Sequence, residues 1–179
     1  MIPMAIGRTA TVAIAIALAV VVGGVGTYLL WPEPETGTVS IYVKDLPDGW
    51  THVNVTFSEV RIHQADAGND SGWHTLDIRN QTIDLAVLTN VSELLASGNV
   101  SAGKYTQIRL VVIAVKGTME DGTIVNFTVP SGELKTTHPF NVSADHTETL
   151  TLDFDLSKSI VYNDSGWTFK PVLGSVTNG

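Results

Sequence analysis

Apolar and polar residues alternate along most of the chain after residue 38, a pattern typical of β-strands that bury one face. The alternation is clearest at Leu150, Leu152 and Phe154, with threonine or aspartate between them. Glycine, proline, asparagine and aspartate interrupt the pattern about every 8–12 residues. The pattern predicts an all-β fold in which about nine short strands form a two-sheet β-sandwich.

Two strands are predicted to depart from simple alternation. Apolar residues change phase at Ser58 and Glu59, which predicts a β-bulge or bend that moves the buried face of the strand. The segment 105–116 contains the run VVIAV, which predicts a central strand covered on both faces. Asp121 and Gly122 follow it and predict a hairpin turn.

The remaining elements include one short helix. Residues 91–97 are predicted to form it, with Asn90 as its N-cap and Gly98 at its end. Residues 82–88 are predicted to form a strand before it, and a last strand is expected at about 167–172.

The N-terminal segment has a different character, because residues 9–31 are nearly all apolar and carry no charge. About 20 such residues in a helix span a bilayer core. Arg8 precedes the segment and Glu33 follows it, so the positive-inside rule places the N-terminus in the cytoplasm. The chain is therefore predicted to be a single-pass protein of the cell membrane, in contact with the lipid bilayer through residues 9–31. Its predicted parts are an anchor at 1–31, a Pro/Glu linker at 32–37 and an extracellular β-sandwich domain at 38–175.

The same segment has two alternative interpretations. A cleaved secretory signal would use small residues such as Gly23, Gly24 or Gly26 near its cleavage site. A pilin-type leader would place a basic and then a small residue before the apolar run, whereas Gly7 and Arg8 have the opposite order. All three interpretations export the rest of the chain.

The exported part contains eight Asn-X-Ser/Thr triplets, in none of which the middle residue is proline. Such triplets accept N-linked glycans where they lie at the surface. Alternatively, these residue types simply mark turns and exposed strand positions. Many acceptors in a chain without cysteine suit an archaeal cell surface. The predicted glycosylation sites are Asn54, Asn69, Asn80, Asn90, Asn99, Asn126, Asn141 and Asn163.

Charge and composition exclude several functions. The 179 residues carry a net charge of −8, and residues 32–179 contain nine basic and eighteen acidic residues. No nucleic-acid partner is expected, because nucleic acids require a basic surface. The absence of cysteine excludes disulfides, thiol nucleophiles and cysteine-linked lipid anchors. No catalytic constellation is present either, so the chain is not expected to be an enzyme.

Three aspartates suggest a metal site. Asp153 and Asp155 share one face of a strand, and Asp45 ends the first predicted strand. If these strands are neighbours, the carboxylates could bind calcium, the one cofactor that the sequence suggests. Alternatively, the aspartates accept backbone hydrogen bonds at strand ends and are solvated.

Two further residue types could serve a binding site. Arg109 lies within an apolar strand, where burial would require a carboxylate partner such as Asp153 or Asp84. Otherwise its stem lies on the sheet and its head reaches water. The histidines are scattered and expected at the surface. The aromatic residues that could stack against a sugar, or pack at the core and its rim, are Trp50, Trp73 and Trp167.

Six ordered segments resemble the domain-of-unknown-function family 4382 of exported bacterial and archaeal proteins. The resemblance covers about residues 37–175 and implies an extracytoplasmic β-rich domain, without an established activity or assigned catalytic residues. Members usually follow a signal or lipid anchor, and the missing anchor cysteine supports the apolar helix as the anchor here. The segments are GTVSIYVKDLP (37–47), VNVTFSEVRIH (53–63), TIDLAVL (82–88), AGKYTQIRL (102–110), VPSGE (129–133) and LTLDFDLSKSIV (150–161).

Together these features predict a membrane-anchored, N-glycosylated cell-surface domain with a structural or adhesion role. The expected partner is a cell-envelope protein or a glycan. Two alternatives are a subunit of an extracellular, pilin-like filament and an extracytoplasmic module that binds calcium or sugar.

Overall fold

The computed structural model describes residues 33–45, 49–65, 67–68, 71–79 and 81–179. The predicted anchor at 1–31 lies outside the described residues. A helix with the length and apolarity of a membrane span does not occur within the described ranges. Residues Pro34–Gly179 form one structural unit.

Strands dominate the described part of the chain, which confirms the all-β prediction. One single-turn 3-10 helix lies at Leu85–Val87, and one four-residue α-helix, α1, lies at Leu156–Ser159. The strands are β1 (Thr36–Asp45), β2 (Trp50–Gln64), β3 (Trp73–Ile78), β4 (Thr82–Asp84), β5 (Glu93–Ser101), β6 (Gly103–Met119), β7 (Ile124–Asn126), β8 (Glu133–Thr136), β9 (Phe140–Val142), β10 (Thr147–Phe154), β11 (Ile160–Asn163), β12 (Gly166–Phe169) and β13 (Leu173–Asn178).

Eleven of these strands belong to one continuous sheet. Its order is β13-β10-β1-β5-β3-β2-β6-β7, with β4 paired to β2, and with β8 and β9 paired to β6. The β1–β10 pair is parallel, whereas β1 pairs with β5 in the antiparallel sense. Strands β11 and β12 form a separate two-stranded ribbon.

The sheet curls around its apolar face. Three strands separate β2 from β10 in the sheet order, yet the ring centroids of Phe57 and Phe154 are 6.1 Å apart. The register between β2 and β6 shifts on both sides of Phe57, and the buried side changes from Phe57 to Val60. This bulge confirms the prediction at Ser58 and Glu59, and it gives the long strand the bend that curling requires.

The predicted helix at 91–97 is wrong, because residues 93–97 begin β5. Ile41 pairs with Ala96, and both Leu95 and Ala96 are fully buried. Local helix preference in the segment ELLAS is weak compared with pairing on both edges, since β5 lies between β1 and β3. The α-helix occurs instead at α1.

The predicted strands at 82–88 and 167–172 are too long. Strand β4 ends at Asp84, and Leu88 then donates a backbone hydrogen bond to Leu85, 3.1 Å away, which closes a tight turn. Val87 is 54% exposed as a result. Pro171 separates β12 from β13, because proline lacks the N–H that a continuous ladder needs.

Strand β6 is paired along both edges, with β2 on one side and β7, β8 and β9 on the other, but it is not covered on both faces as predicted. Ile113 is 61% exposed, while Leu110 and Val112 are buried. The hairpin after β6 is confirmed: Gly122 has φ +83°, and the N–H of Met119 donates to the carbonyl oxygen of Thr123 at 3.0 Å. The outward side of β6 is therefore a solvent-facing surface.

Candidate functional site

The three aspartates of the predicted calcium site have separate protein partners. Asp45 is buried, and its carboxylate accepts the backbone N–H of Leu156 at 3.2 Å. Asp153 forms an ion pair with Lys44 at 3.3 Å. Asp155 caps the N-terminus of α1.

Asp155 has a lowered pKa. Hydrogen bonds from the Lys158 side chain and the Ser157 hydroxyl stabilise the carboxylate and lower its pKa to about 2. The Asp155 carboxylate thus accepts the backbone N–H of Lys158 at the helix cap and pairs with the Lys158 ammonium group. Within the described ranges no group of three histidine, aspartate or glutamate side chains is placed to hold a metal ion.

The predicted glycan acceptors lie mainly on exposed strands and turns. Asn69 and Asn80 lie outside the described residues, and Asn54 on β2 is half-buried. The side-chain amide of Asn163 donates to the Thr168 hydroxyl at 3.4 Å within the β11–β12 turn. The exposed acceptors are Asn90, Asn99, Asn126, Asn141 and Asn163.

Arg109 has a carboxylate partner, but not one of those predicted. Its Nη1 atom lies 3.4 Å from Oε1 of Glu133 on β8. Asp84 instead contacts Nδ1 of His52 at 2.6 Å, and Asp153 pairs with Lys44. Glu133 lies beside Arg109 because β8 pairs with β6, a pairing that the sequence alone did not indicate.

A second arginine shares the same carboxylate. Nη2 of Arg61, on β2, donates to Oε2 of Glu133 at 3.3 Å. Arg61 and Arg109 are direct partners in the β2–β6 ladder, and both side chains are 27% exposed. Glu133 thus bridges two guanidinium groups on the outward side of the sheet.

An indole ring completes this cluster. The ring centroid of Trp73, on β3, lies 4.2 Å from the guanidinium carbon of Arg109 and 5.7 Å from that of Arg61. Guanidinium groups at such distances are attracted to the negative face of an indole. The ring also packs at 4.7 Å against His63, which is only 7% exposed, contrary to the expected surface position.

Several polar atoms in the cluster have no hydrogen-bond partner among the described residues. They include the Nε atoms of Arg61 and Arg109, Nδ1 of His63 and Oε1 of Gln107. Arg61 Nε does lie 3.3 Å from Glu59, close enough for an ion pair. Buried polar atoms are usually paired, and these atoms are exceptions. The cluster therefore has donors and an acceptor that remain available for further hydrogen bonds.

The position of Glu133 depends on its neighbour Gly132. The backbone N–H of Val112 donates to the carbonyl oxygen of Gly132 at 2.6 Å. A Cβ atom on Gly132 would lie only 2.4 Å from the carbonyl oxygen of Val112, so only glycine fits. This close approach fixes the start of β8 and holds Glu133 beside both arginines. We call this surface the arginine face: Glu59, Arg61, Trp73, Arg109, Glu133 and Lys135.

Charge is unevenly distributed around this face. Strands β2, β6 and β8 carry five basic and two acidic residues. The rest of the chain after residue 31 therefore contains four basic and sixteen acidic residues. The arginine face itself contains three basic and two acidic residues, a net charge of +1 on a protein whose net charge is −8.

The other two tryptophans form a separate aromatic cluster. The ring centroids of Trp50 and Trp167 lie 5.2 Å apart, and the ring centroid of Phe127 also lies 5.2 Å from that of Trp50. Both tryptophans are partly buried against the core, as expected for packing at its rim. Trp73 does not belong to this cluster, so the three tryptophans do not make one platform.

Arg109 is conspicuous in the sequence, whereas Arg61 and Glu133 are not. One available indication was the pair of segments RIH in β2 and QIR in β6. Antiparallel pairing of these segments opposes Arg61 to Arg109 and His63 to Gln107.

Comparison with known proteins identifies the family. The model of a domain of unknown function, DUF4382, matches residues 36–171. No curated protein and no solved structure matches the chain. The matched segment runs from the start of β1 beyond β12, and it contains the whole arginine face. The chain therefore belongs to the DUF4382 family.

Proposed function

We propose that this protein is a membrane-anchored, N-glycosylated cell-surface domain that acts in adhesion or another envelope interaction, without catalysis. In this proposal residues 1–31 form the anchor and residues 32–37 a spacer. The domain lies outside the cell, where the two halves of its curled sheet act as the facing layers of a β-sandwich.

The observation that carries this proposal is the distribution of glycan acceptors around the arginine face. No asparagine occurs in residues 59–63, 73–78, 105–113 or 133–136, which form this part of the sheet. Acceptors lie instead toward both ends of β6: Lys104 pairs with Asn141, and Lys116 pairs with Asn54 and Asn126.

The spacing between these acceptors and Arg109 leaves room for a partner. Lys104 and Lys116 are five and seven residues from Arg109, or about 17 and 23 Å along a strand. Glycans at those ends would flank the arginine face without covering it. An interaction domain with a glycan coat needs such an open surface.

The test uses intact cells that produce the full chain with a C-terminal tag. Added protease is expected to remove the tag, and mass spectrometry is expected to find glycans on Asn90, Asn99, Asn126 and Asn141. Each Asn→Gln variant should remove one glycan mass, which provides the matched control. The proposal would be overturned if the tag were protected from protease, or if none of these four asparagines carried a glycan.

The same preparation distinguishes the anchor from its alternatives. A mature chain that begins at Met1 or Ile2 supports a retained anchor. A terminus after the glycines at 23–26 would show a cleaved signal, and a terminus near Gly7 would indicate processing of the pilin type.

A further inference from the structure

Glu133 occupies a binding arrangement that is suited to any carboxylate group. Its two oxygens face two different guanidinium groups, at 3.3 Å from Arg61 and 3.4 Å from Arg109. Charge-assisted hydrogen bonds of strong N–H donors are usually about 2.7–2.9 Å long. Both contacts are longer than this, and the Glu133 side chain is 40% exposed. The bridge is therefore loose and accessible to solvent.

The surroundings favour exchange of this carboxylate for one from outside. Lys135 pairs with Arg109 across β6 and β8, and it adds a third positive charge beside the two arginines. Each guanidinium contacts Glu133 through a single terminal nitrogen. An external carboxylate that displaced Glu133 would take over its contacts with Arg61 and Arg109, while the Glu133 side chain turned toward solvent.

We propose that Arg61 and Arg109 bind the carboxylate of an acidic polysaccharide, a chain of uronic acid units, and that Glu133 occupies their site when no ligand is bound. This inference rests on the proposed function, because it names the partner class for the arginine face. The charge of the face is complementary to such a chain, and the acidic remainder of the protein keeps it from binding elsewhere.

The composition of the face favours a sugar over an acidic polypeptide. Trp73 lies beside the position of the carboxylate, and indole rings commonly pack against the apolar side of a pyranose. Thr75, exposed on the same strand, offers a hydroxyl that now donates to Glu59 at a long 3.4 Å. The sheet surface here is polar, whereas recognition of a folded protein usually relies on buried apolar anchors.

The test is isothermal titration calorimetry of the full chain in detergent micelles with a tetramer of galacturonic acid. Two matched ligands of equal length separate the chemical contributions. Maltotetraose has pyranose rings without carboxylates, and tetraglutamate has carboxylates without pyranose rings. Galacturonate is expected to bind at least about tenfold more tightly than either, and its affinity should fall as salt is added.

Three variants test the assigned residues. Arg109→Gln is expected to weaken galacturonate binding at least about tenfold, because the second donor group is lost. Glu133→Gln removes the internal competitor and should strengthen binding about threefold or more. Lys158→Gln, which removes a positive charge on α1, is the matched control and should leave the affinity unchanged.

Near-UV circular dichroism of each variant checks its folding, and Glu133→Gln keeps the test valid if Arg109→Gln fails to fold. Equal or tighter binding of tetraglutamate would overturn the sugar assignment. Unchanged or weaker binding in Glu133→Gln would overturn the exchange of carboxylates. Because micelle titrations do not depend on cellular location, their failure is distinct from a failure of the whole-cell experiment.

Discussion

Replacement of Gly132 by alanine is a direct test of how the arginine face is built. The added Cβ would lie 2.4 Å from the carbonyl oxygen of Val112, whereas ordinary contacts begin near 3.4 Å. The start of β8 must therefore move by about 1 Å. That movement stretches the hydrogen bond from the Val112 N–H to the Gly132 carbonyl, now 2.6 Å long.

The expected loss of stability follows from this hydrogen bond. Val112 is buried, and an unpaired buried N–H costs about 1–3 kcal/mol. Alanine lowers the conformational entropy of the unfolded chain relative to glycine, which offsets this loss by about 0.4–1 kcal/mol. The free energy of unfolding should therefore fall by about 1–2 kcal/mol, which corresponds to about 2–8 °C in Tm for a domain of this size.

Urea unfolding followed by tryptophan fluorescence measures the change, with Gly174→Ala as the matched control. A Cβ on Gly174 would lie 3.7 Å from its nearest neighbour, the carbonyl oxygen of Asp153, which is an ordinary contact. This variant should keep its stability or gain up to about 1 kcal/mol. If both variants unfold with free energies that agree within about 0.5 kcal/mol, the steric argument for Gly132 is refuted.

Three further substitutions test other parts of the molecule. Phe154→Ala removes a buried ring that contacts Phe57 across the curled sheet, and it should cost about 3–5 kcal/mol in urea unfolding. Asp155→Asn removes a carboxylate whose folded-state pKa of about 2 lies below its ordinary 3.8. The stabilisation by that carboxylate is complete above pH 3.8 and is lost as the pH falls through about 2, so the Tm difference between wild type and variant should shrink over this range. Gly122→Ala places a side chain at φ +83° and should lower stability by about 1–2 kcal/mol.

The substitutions at Phe154 and Asp155 each have a control and a contrary result. Val161→Ala changes a residue that is 44% exposed, and its effect should stay within about 0.5 kcal/mol. A similar small loss in Phe154→Ala would contradict the facing arrangement of the sheet. Lys158→Gln should raise the pKa of Asp155, because it removes the main hydrogen-bond donor. A Tm difference that persists unchanged at pH 2 would contradict the role of Asp155.

Strand positions could be predicted from the sequence where burial follows simple alternation. Leu150, Leu152 and Phe154, where the alternation is clearest, lie in β10, and the phase change at Ser58 and Glu59 is the bulge of β2. The helix prediction at 91–97 failed because local preference carries no information about the strands on either side. The single long sheet was not predicted either, since the pairing of β3 with both β2 and β5 depends on tertiary contacts.

The same limit applied to the arginine face. Arg109 stood out because a charged residue interrupted an apolar strand, and a carboxylate partner was one of the two environments expected for it. The identity of that partner depends on register, because a shift of one residue would turn Glu133 to the other side of β8. Arg61 and Trp73 come from two further strands, and only the assembled sheet brings them to Arg109.

The parallel pairing of β1 with β10 has a consequence for how the domain folds. Thr38 is matched with Thr147, so the first strand obtains one of its two neighbours more than a hundred residues later. Closure of so long a loop slows folding and places it late in synthesis. The edge of β1 that faces β10 therefore stays unpaired until the C-terminal part of the chain is available, so this part of the sheet cannot form from the N-terminal strands alone.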